Sequence, residues 1–286
     1  MRSDAAVEKE RMSKVNQAMK PLRRSRLRLW LGTRYYRCKR YIEWYFGRTR
    51  FATEMRADLL PARIFQHQTP LRRQLKDVDM WLQENKIRNL QIAIRKLNGI
   101  IIRPGETFSY WKLIGHPTAR KGYVEGMVLF YGGFKASVGG GLCQLSNLIY
   151  WITLHTPLEV TERHRHSYDV FPDSNRTQPF GSGATCAYNY LDLQITNSTE
   201  QPYQLHLYLT QDHLVGEWRS VDSHPLRYEV YEKDHQMMQA HWGGYVRHNV
   251  IHRRVFNQEG LQVNDQYVTE NHALMMYRPF LESGRS

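Results

Sequence analysis

Val138-Gly139-Gly140-Gly141-Leu142-Cys143-Gln144-Leu145-Ser146 is the stretch on which the reading of this 286-residue chain turns. Three consecutive glycines leave the backbone free to turn tightly and to be approached closely by another chain or a ligand. Directly after them, Leu145, Leu148, Ile149 and Ile152 fall at i, i+3, i+4 and i+7, the pattern of a helix with one buried stripe. Cys143 therefore belongs at the first turn of that helix. Unpaired N–H groups and the positive dipole end at such a position lower the pKa of a thiol, and they could stabilise an oxyanion on an attacked carbonyl. Two readings stay open: Cys143 is a nucleophile, or it is a small buried thiol packing a tight turn.

A cysteine nucleophile needs a histidine within hydrogen-bond reach. Glu162-Arg163-His164-Arg165-His166-Ser167 offers His164 and His166, which share a face if the run is extended. That H-x-H spacing with Cys143 would also suit zinc, but no acidic or fourth ligand is indicated. Neither a metal nor any other cofactor is assigned. His155 lies three turns along the helix from Cys143, too far to be its base, and the eight histidines from His206 onward receive no role.

Upstream, Ile87, Leu90, Ile94 and Leu97 mark a helix over about 85–98 that stops at Asn98-Gly99. Ile100–Ile102 reads as a short buried strand and Val124–Phe134 as a hairpin pivoting near Gly132-Gly133. Downstream, Leu191–Asn197, Tyr203–Thr210 and Leu214–Trp218 alternate with period two, and Arg227–Tyr231, Tyr245–Val255 and Leu261–Val268 are strand-like. The outline is α+β: N-terminal helices, then a mainly antiparallel sheet, with one helix carrying the Gly-rich/Cys motif at its start. Three parts are expected: a basic, partly helical appendage over 1–50, a central domain over 51–220, and a β-rich extension over 221–286 packed on the same domain.

The net charge is +13, from 40 Lys+Arg against 27 Asp+Glu. Residues 1–50 carry +11 of it, with 15 basic and 4 acidic side chains, so the body is close to neutral. Within the appendage Leu27, Leu31, Tyr35, Cys38, Ile42 and Tyr45 form a helical stripe. That helix either lies on an anionic membrane through residues 22–50 or docks on its own domain with a solvated basic face. Nucleic acid is not expected, because no recognised binding motif accompanies the charge. Three widely spaced cysteines, Cys38, Cys143 and Cys186, contain no C-x-x-C pair and argue against a zinc ribbon or a disulfide framework. Separate reduced thiols, and the lack of an apolar secretory core in Met1–Lys20, point to a cytoplasmic protein, peripheral at the inner membrane face if the helix docks there.

Several ordered blocks resemble the VanW family of accessory vancomycin-resistance proteins. Asn98-Gly99 and Arg103-Pro104-Gly105-Glu106-Thr107-Phe108-Ser109 resemble its "LNG…RPGETFS" block, and Gly139–Ser146 its "GGG-x-CQ-x-S" block. Leu154-His155-Thr156-Pro157-Leu158 with Glu162-Arg163-His164 is similar to its "HTPL…ERH" block, and Leu191-Asp192-Leu193 with Asn197 to its "DL…N" strand. The resemblance implies a role tied to the bacterial cell wall and glycopeptide resistance. In larger exported relatives the domain is similar to a peptidoglycan L,D-transpeptidase. Carried over, this makes Cys143 the nucleophile and His164 or His166 the base. Gln144 and the N–H groups after Gly141 become oxyanion donors, and Gly139, Gly140, Gly141, Gln144, Ser146 and Arg163 candidate substrate contacts. The family's "G-x-D-A-T" block reads here Gly181-Ser182-Gly183-Ala184-Thr185, with Gly183 where a carboxylate is expected, so either another group such as Asp192 or Asp169 orients the histidine or the chain lacks the activity. Two functions follow as expectations. One is a cysteine acyl-transferase acting on peptidoglycan or a peptide-like wall precursor; the other is a non-catalytic accessory module binding such a precursor or a protein partner.

Overall fold

The computed structural model describes residues 25–72, 80–130, 133–165, 168–170, 178–240 and 243–277. Its architecture is α+β. In chain order come helix α1 (Arg26–Phe46), strand β1 (Ala62–Pro70), helix α2 (Met80–Leu97), strands β2 (Ile101–Ile102) and β3 (Thr107–Ser109), and the short helix α3 (Tyr110–Ile114). Strands β4 (Glu125–Phe130) and β5 (Gly133–Val138) precede helix α4 (Cys143–Thr153). The remainder is strand: β6 (Glu159–Glu162), β7 (Tyr168–Asp169), β8 (Gln194–Thr196), β9 (Tyr203–Leu209), β10 (His213–Ser220), β11 (Arg227–Gln239), β12 (Tyr245–Phe256) and β13 (Gln262–Met275).

One antiparallel sheet runs β1-β10-β9-β2 and a second β11-β12-β13-β7; β3-β8-β6 and the β4-β5 hairpin complete the set. The core lies where α4 and α2 cover the first sheet. Leu145, Leu148, Ile149 and Ile152 of α4 are buried with Leu90, Leu97, Leu205, Leu207 and Trp218. Gly216 in β10 makes this approach close: a Cβ there would meet Leu148 and Leu207 at 3.1 Å. Trp218 is fully buried, and its indole N–H donates to Thr153 Oγ1 at 3.0 Å, pairing the polar tip that burial would otherwise strand.

The sequence expectation for the second helix is met with an extra N-terminal turn. The turn of the β4-β5 hairpin, residues 131–132, lies outside the described residues, and its second strand runs on to Val138. Strand β1 went unpredicted, because Ala62–Pro70 carries polar residues on both faces and ends in proline. The three C-terminal strands are longer than their apolar alternation suggests. Polar pairs such as Asn249 with Asn271, hydrogen-bonded across β12 and β13, continue the ladder where hydrophobic patterning stops.

The N-terminal helix docks the other way round from the alternative in which its apolar stripe faces the domain. Arg40 and Trp44 are each 7% exposed, whereas Leu31 is 53% and Tyr45 70% exposed. The anchoring contacts are polar: Arg40 reaches Glu162 at 2.5 Å and Glu43 at 2.8 Å, Arg37 Nε donates to the Tyr188 carbonyl, and Lys112 Nζ to that of Trp44. Among the described residues no helix is long and apolar enough to cross a membrane.

Candidate functional site around Cys143

The glycine turn is built for backbone contact. Gly139 and Gly141 take φ of 78° and 90°, which L side chains rarely adopt. Gly140 lies so close to Gly126 of β4 that a Cβ would sit 2.0 Å from the Gly126 carbonyl oxygen. Buried Asn89 of α2 clamps the turn, donating to the carbonyls of Gly140 at 2.9 Å and Val124 at 3.0 Å while accepting from Val124 N–H. The three glycines serve the close packing of chain on chain.

Cys143 opens α4, and its thiol points to the Cys186 carbonyl at 3.9 Å. Burial pushes this thiol above its ordinary pKa, outweighing the hydrogen bonds that favour the thiolate. The activated thiolate expected from a helix start is therefore not what this environment favours. Cys186 is pushed up further, by burial and by the neighbouring Cys143. Tyr110, fully buried, closes the same pocket of polar atoms by donating to the Leu142 carbonyl at 2.9 Å.

The other residues expected at the site are held by the fold. Gln144 donates its side-chain amide to Thr69 Oγ1 and the Pro70 carbonyl, both at 2.9 Å, and its backbone N–H to Gly141 O at 3.1 Å. It ties α4 to β1. Ser146, fully buried, donates to the Ala184 carbonyl at 2.7 Å. Arg163 is a brace between elements: its guanidinium donates to the carbonyls of Gly183 and Gly181 and to Thr269 and Asn271 of β13, over the ring of Tyr150. Gln144, Ser146 and Arg163 thus each tie separate elements of the fold together.

The structure does not bring His164 to Cys143. Strand β6 ends at Glu162, and His164 folds back so that its Nε2 lies 2.9 Å from Glu162 Oε1. Among the described residues no histidine is within hydrogen-bond distance of the Cys143 thiol. His166 lies outside the described residues. Both candidate carboxylates are held by other groups of the fold. Asp192 accepts from Ser109 Oγ at 2.5 Å and from the N–H groups of Trp111 and Leu193, and Asp169 pairs with Arg247 and Tyr277. Glu162 holds the histidine, gathering His164, Arg40 and the Asp192 N–H on one carboxylate oxygen. Burial raises its pKa, but the His164 and Arg40 hydrogen bonds outweigh that and leave it below the ordinary value. Asp192 shows the opposite balance: burial pushes it up to about 7 against the donors around it.

A second feature lies at the far end of α4. A cavity of about 580 Å³ runs along Arg63–Gln68 of β1, which is an edge strand of its sheet. His155 stacks on Phe65 with ring centres 3.9 Å apart and planes 6° from parallel, and burial pulls its pKa down to about 4. Its Nδ1 lies 3.0 Å from the Trp151 carbonyl, while His67 lies 2.9 Å from the Gln178 amide. Sequence reasoning missed Phe65 and His67 because the strand that carries them was itself unpredicted; the only signal was His155 in its apolar helix.

Residues 85–219 match the family model described as VanW like protein. The chain is 37% identical over 158 residues to the vancomycin B-type resistance protein VanW of Enterococcus faecalis, covering 55% of this chain and 58% of that protein. It is 26% identical over 119 residues to the uncharacterized protein YoaR of Bacillus subtilis, covering 42% and 38%. The chain thus spans well under two thirds of the length of either curated relative. No solved structure matches it. Residues 85–219, which hold the glycine turn, Cys143, Glu162, His164 and Asp192, belong to the VanW family.

Proposed function

We propose that this chain is an accessory protein of vancomycin resistance, acting as a non-catalytic module that binds a peptide-like cell-wall precursor. The observation that carries this is the state of Cys143. Its thiol is turned into the fold toward the Cys186 carbonyl, burial disfavours its thiolate, and His164 is engaged by Glu162. A nucleophilic cysteine needs a lowered pKa and a base at hand. The groove along β1 supports the binding half of the reading. An edge strand offers unpaired N–H and C=O groups to an extended peptide, and Arg63 stands beside it for a carboxylate terminus.

The test is a Cys143→Ala variant compared with the unaltered chain in a vancomycin-susceptibility assay of a resistant host, alongside calorimetric titration with a soluble peptidoglycan stem peptide. Unchanged resistance and peptide binding in Cys143→Ala, with binding weakened in Arg63→Ala, are expected. Loss of both in a folded Cys143→Ser variant would overturn the reading in favour of cysteine-dependent acyl transfer. One observation favours that second reading: Cys143 is the first residue of an 11-residue helix, where the dipole acts on a thiol once it leaves its buried position.

The N-terminal helix supplies the location in this proposal. Its exposed Leu27, Trp30, Leu31, Tyr35 and Ile42, interleaved with Arg34 and Lys39, form an apolar face with a basic border. Such a helix lies in the headgroup region of an anionic membrane. The protein then works as a peripheral protein at the inner membrane face.

A further inference from the structure

We propose that His248, Glu270 and His272 form a binding site for a divalent transition-metal ion of the zinc class. The site follows from strand register. His248 on β12 stands directly opposite His272 on β13, and Glu270 lies two residues before His272, on the same face of the strand. The intervening Asn249 and Asn271 point to the other face, where they bond to each other and to the Phe180 carbonyl.

The three side chains converge, and an ion would take one ring nitrogen from each histidine and one carboxylate oxygen. His248 Nδ1 and His272 Nδ1 are 3.1 Å apart, and Glu270 Oε1 lies 3.0 Å from His272 Nε2 and 3.7 Å from His248 Nδ1. One donor atom from each residue can be chosen so that all lie within 4.8 Å of one another. Nitrogen and oxygen ligands about 2.0–2.1 Å from a tetrahedral zinc ion sit roughly 3.4 Å from each other. Two ring nitrogens facing each other this closely must otherwise share a proton, so an ion entering here displaces that proton and takes both lone pairs.

Two histidines and one carboxylate are a zinc ligand set, and they leave a coordination position for water or a further ligand. His248 is nearly buried, while the side chains of Glu270 and His272 are about one-fifth exposed, so an ion can arrive from solvent. Arg165 opposes it. It donates to the His272 carbonyl and is drawn to Glu270, so a bound ion has to shift this cation outward. The site lies outside residues 85–219 and does not depend on the role of Cys143.

The experiment is titration of the full chain, freed of metal by chelator, with Zn²⁺ alone by calorimetry and with Co²⁺ by visible absorption. One equivalent of Zn²⁺ is expected, with cobalt bands of a four- or five-coordinate nitrogen–oxygen site. His272→Ala and, separately, Glu270→Gln should weaken binding by at least the roughly tenfold that losing a mere supporting partner of a metal ligand costs. Circular dichroism of the metal-free variants confirms that they are folded, and His248→Asn serves if His272→Ala does not fold. No stoichiometric binding, or binding unchanged in the folded variants, overturns the proposal. So does a thiolate-to-cobalt charge-transfer band, which would place the ion at a cysteine.

Discussion

Helices α1 and α4 carry the same kind of signal, an apolar stripe at helical spacing, and the fold uses the two stripes in opposite ways. In α4 the stripe faces the β1-β10-β9-β2 sheet, and Leu145 is fully buried. In α1 the stripe faces solvent, and the buried residues are Arg40 and Trp44 on another face, where Trp44 joins the hydrophobic core. The difference lies in the partners. A sheet surface of Leu205, Leu207 and Trp218 takes an apolar helix face, whereas α1 meets Glu162 and the Tyr188 carbonyl, which take guanidinium groups. Periodicity establishes a helix and defines its faces. Which face docks is settled by the chemistry of the surface it meets.

Substitution can break this contrast, and the largest effect belongs to α4. Leu145→Ala removes a fully buried side chain from the centre of the core and should destabilise the chain by about 2–5 kcal/mol in urea unfolding. On α1 the corresponding anchor is Arg40. Arg40→Ala leaves the carboxylate of Glu162, 20% exposed, with His164 and a backbone N–H as its remaining partners, at a cost of about 1–3 kcal/mol. A loss at Arg40 matching that at Leu145 would mean that α1 is as integral to the core as α4.

The same contrast explains what the sequence could reveal. The α+β class, α2, α4 and most of the strands were legible, because each buries an apolar stripe or alternation against an apolar neighbour. Polar engagement was not legible. The structural ties of Arg163, Gln144 and Ser146 run to backbone carbonyls far along the chain, at Gly181, Gly183, Pro70 and Ala184, and no spacing rule points to a carbonyl. The pairing of His164 with Glu162, two residues away, was in plain view in the sequence, but it became decisive only when β6 ended at Glu162 and let the ring turn back. His248, Glu270 and His272 were invisible for the same reason, since their convergence depends on the register of β12 with β13.

Acid and base titration separate the two carboxylates at the α1 anchor. The Glu162 pKa is lowered in the fold, so its contribution is fully present above the ordinary value of 4.5 and is lost as pH falls through the folded value. Asp192 is raised from 3.8 to about 7, so between those values the folded chain binds a proton that the unfolded chain does not. Its contribution therefore fades as pH rises across about 4 to 7. Urea midpoints measured across this range should show that fade in the unaltered chain and its absence in Asp192→Asn. Glu162→Gln should instead flatten the acid limb below pH 4.5. If Asp192→Asn leaves the neutral limb unchanged, Asp192 is not the group that responds.

The smallest effect on stability is the most informative about location. Leu31 and Ile42 lie on the exposed stripe, 53% and 60% accessible, and replacing both with serine removes no core contact. Each change should alter the unfolding free energy by no more than about 0.5 kcal/mol, as exposed positions usually do. The same pair supplies apolar area that a membrane surface would bury, while the basic residues of 1–50 supply the attraction to anionic lipid. Cosedimentation with phosphatidylglycerol vesicles should therefore fall sharply in the double variant and in high salt, and phosphatidylcholine vesicles should capture little of either chain. A double variant that sediments as well as the unaltered chain would leave the stripe without a membrane role. A double variant that unfolds several kcal/mol more easily would show that the stripe is covered within the folded protein, and the contrast between the two helices would disappear.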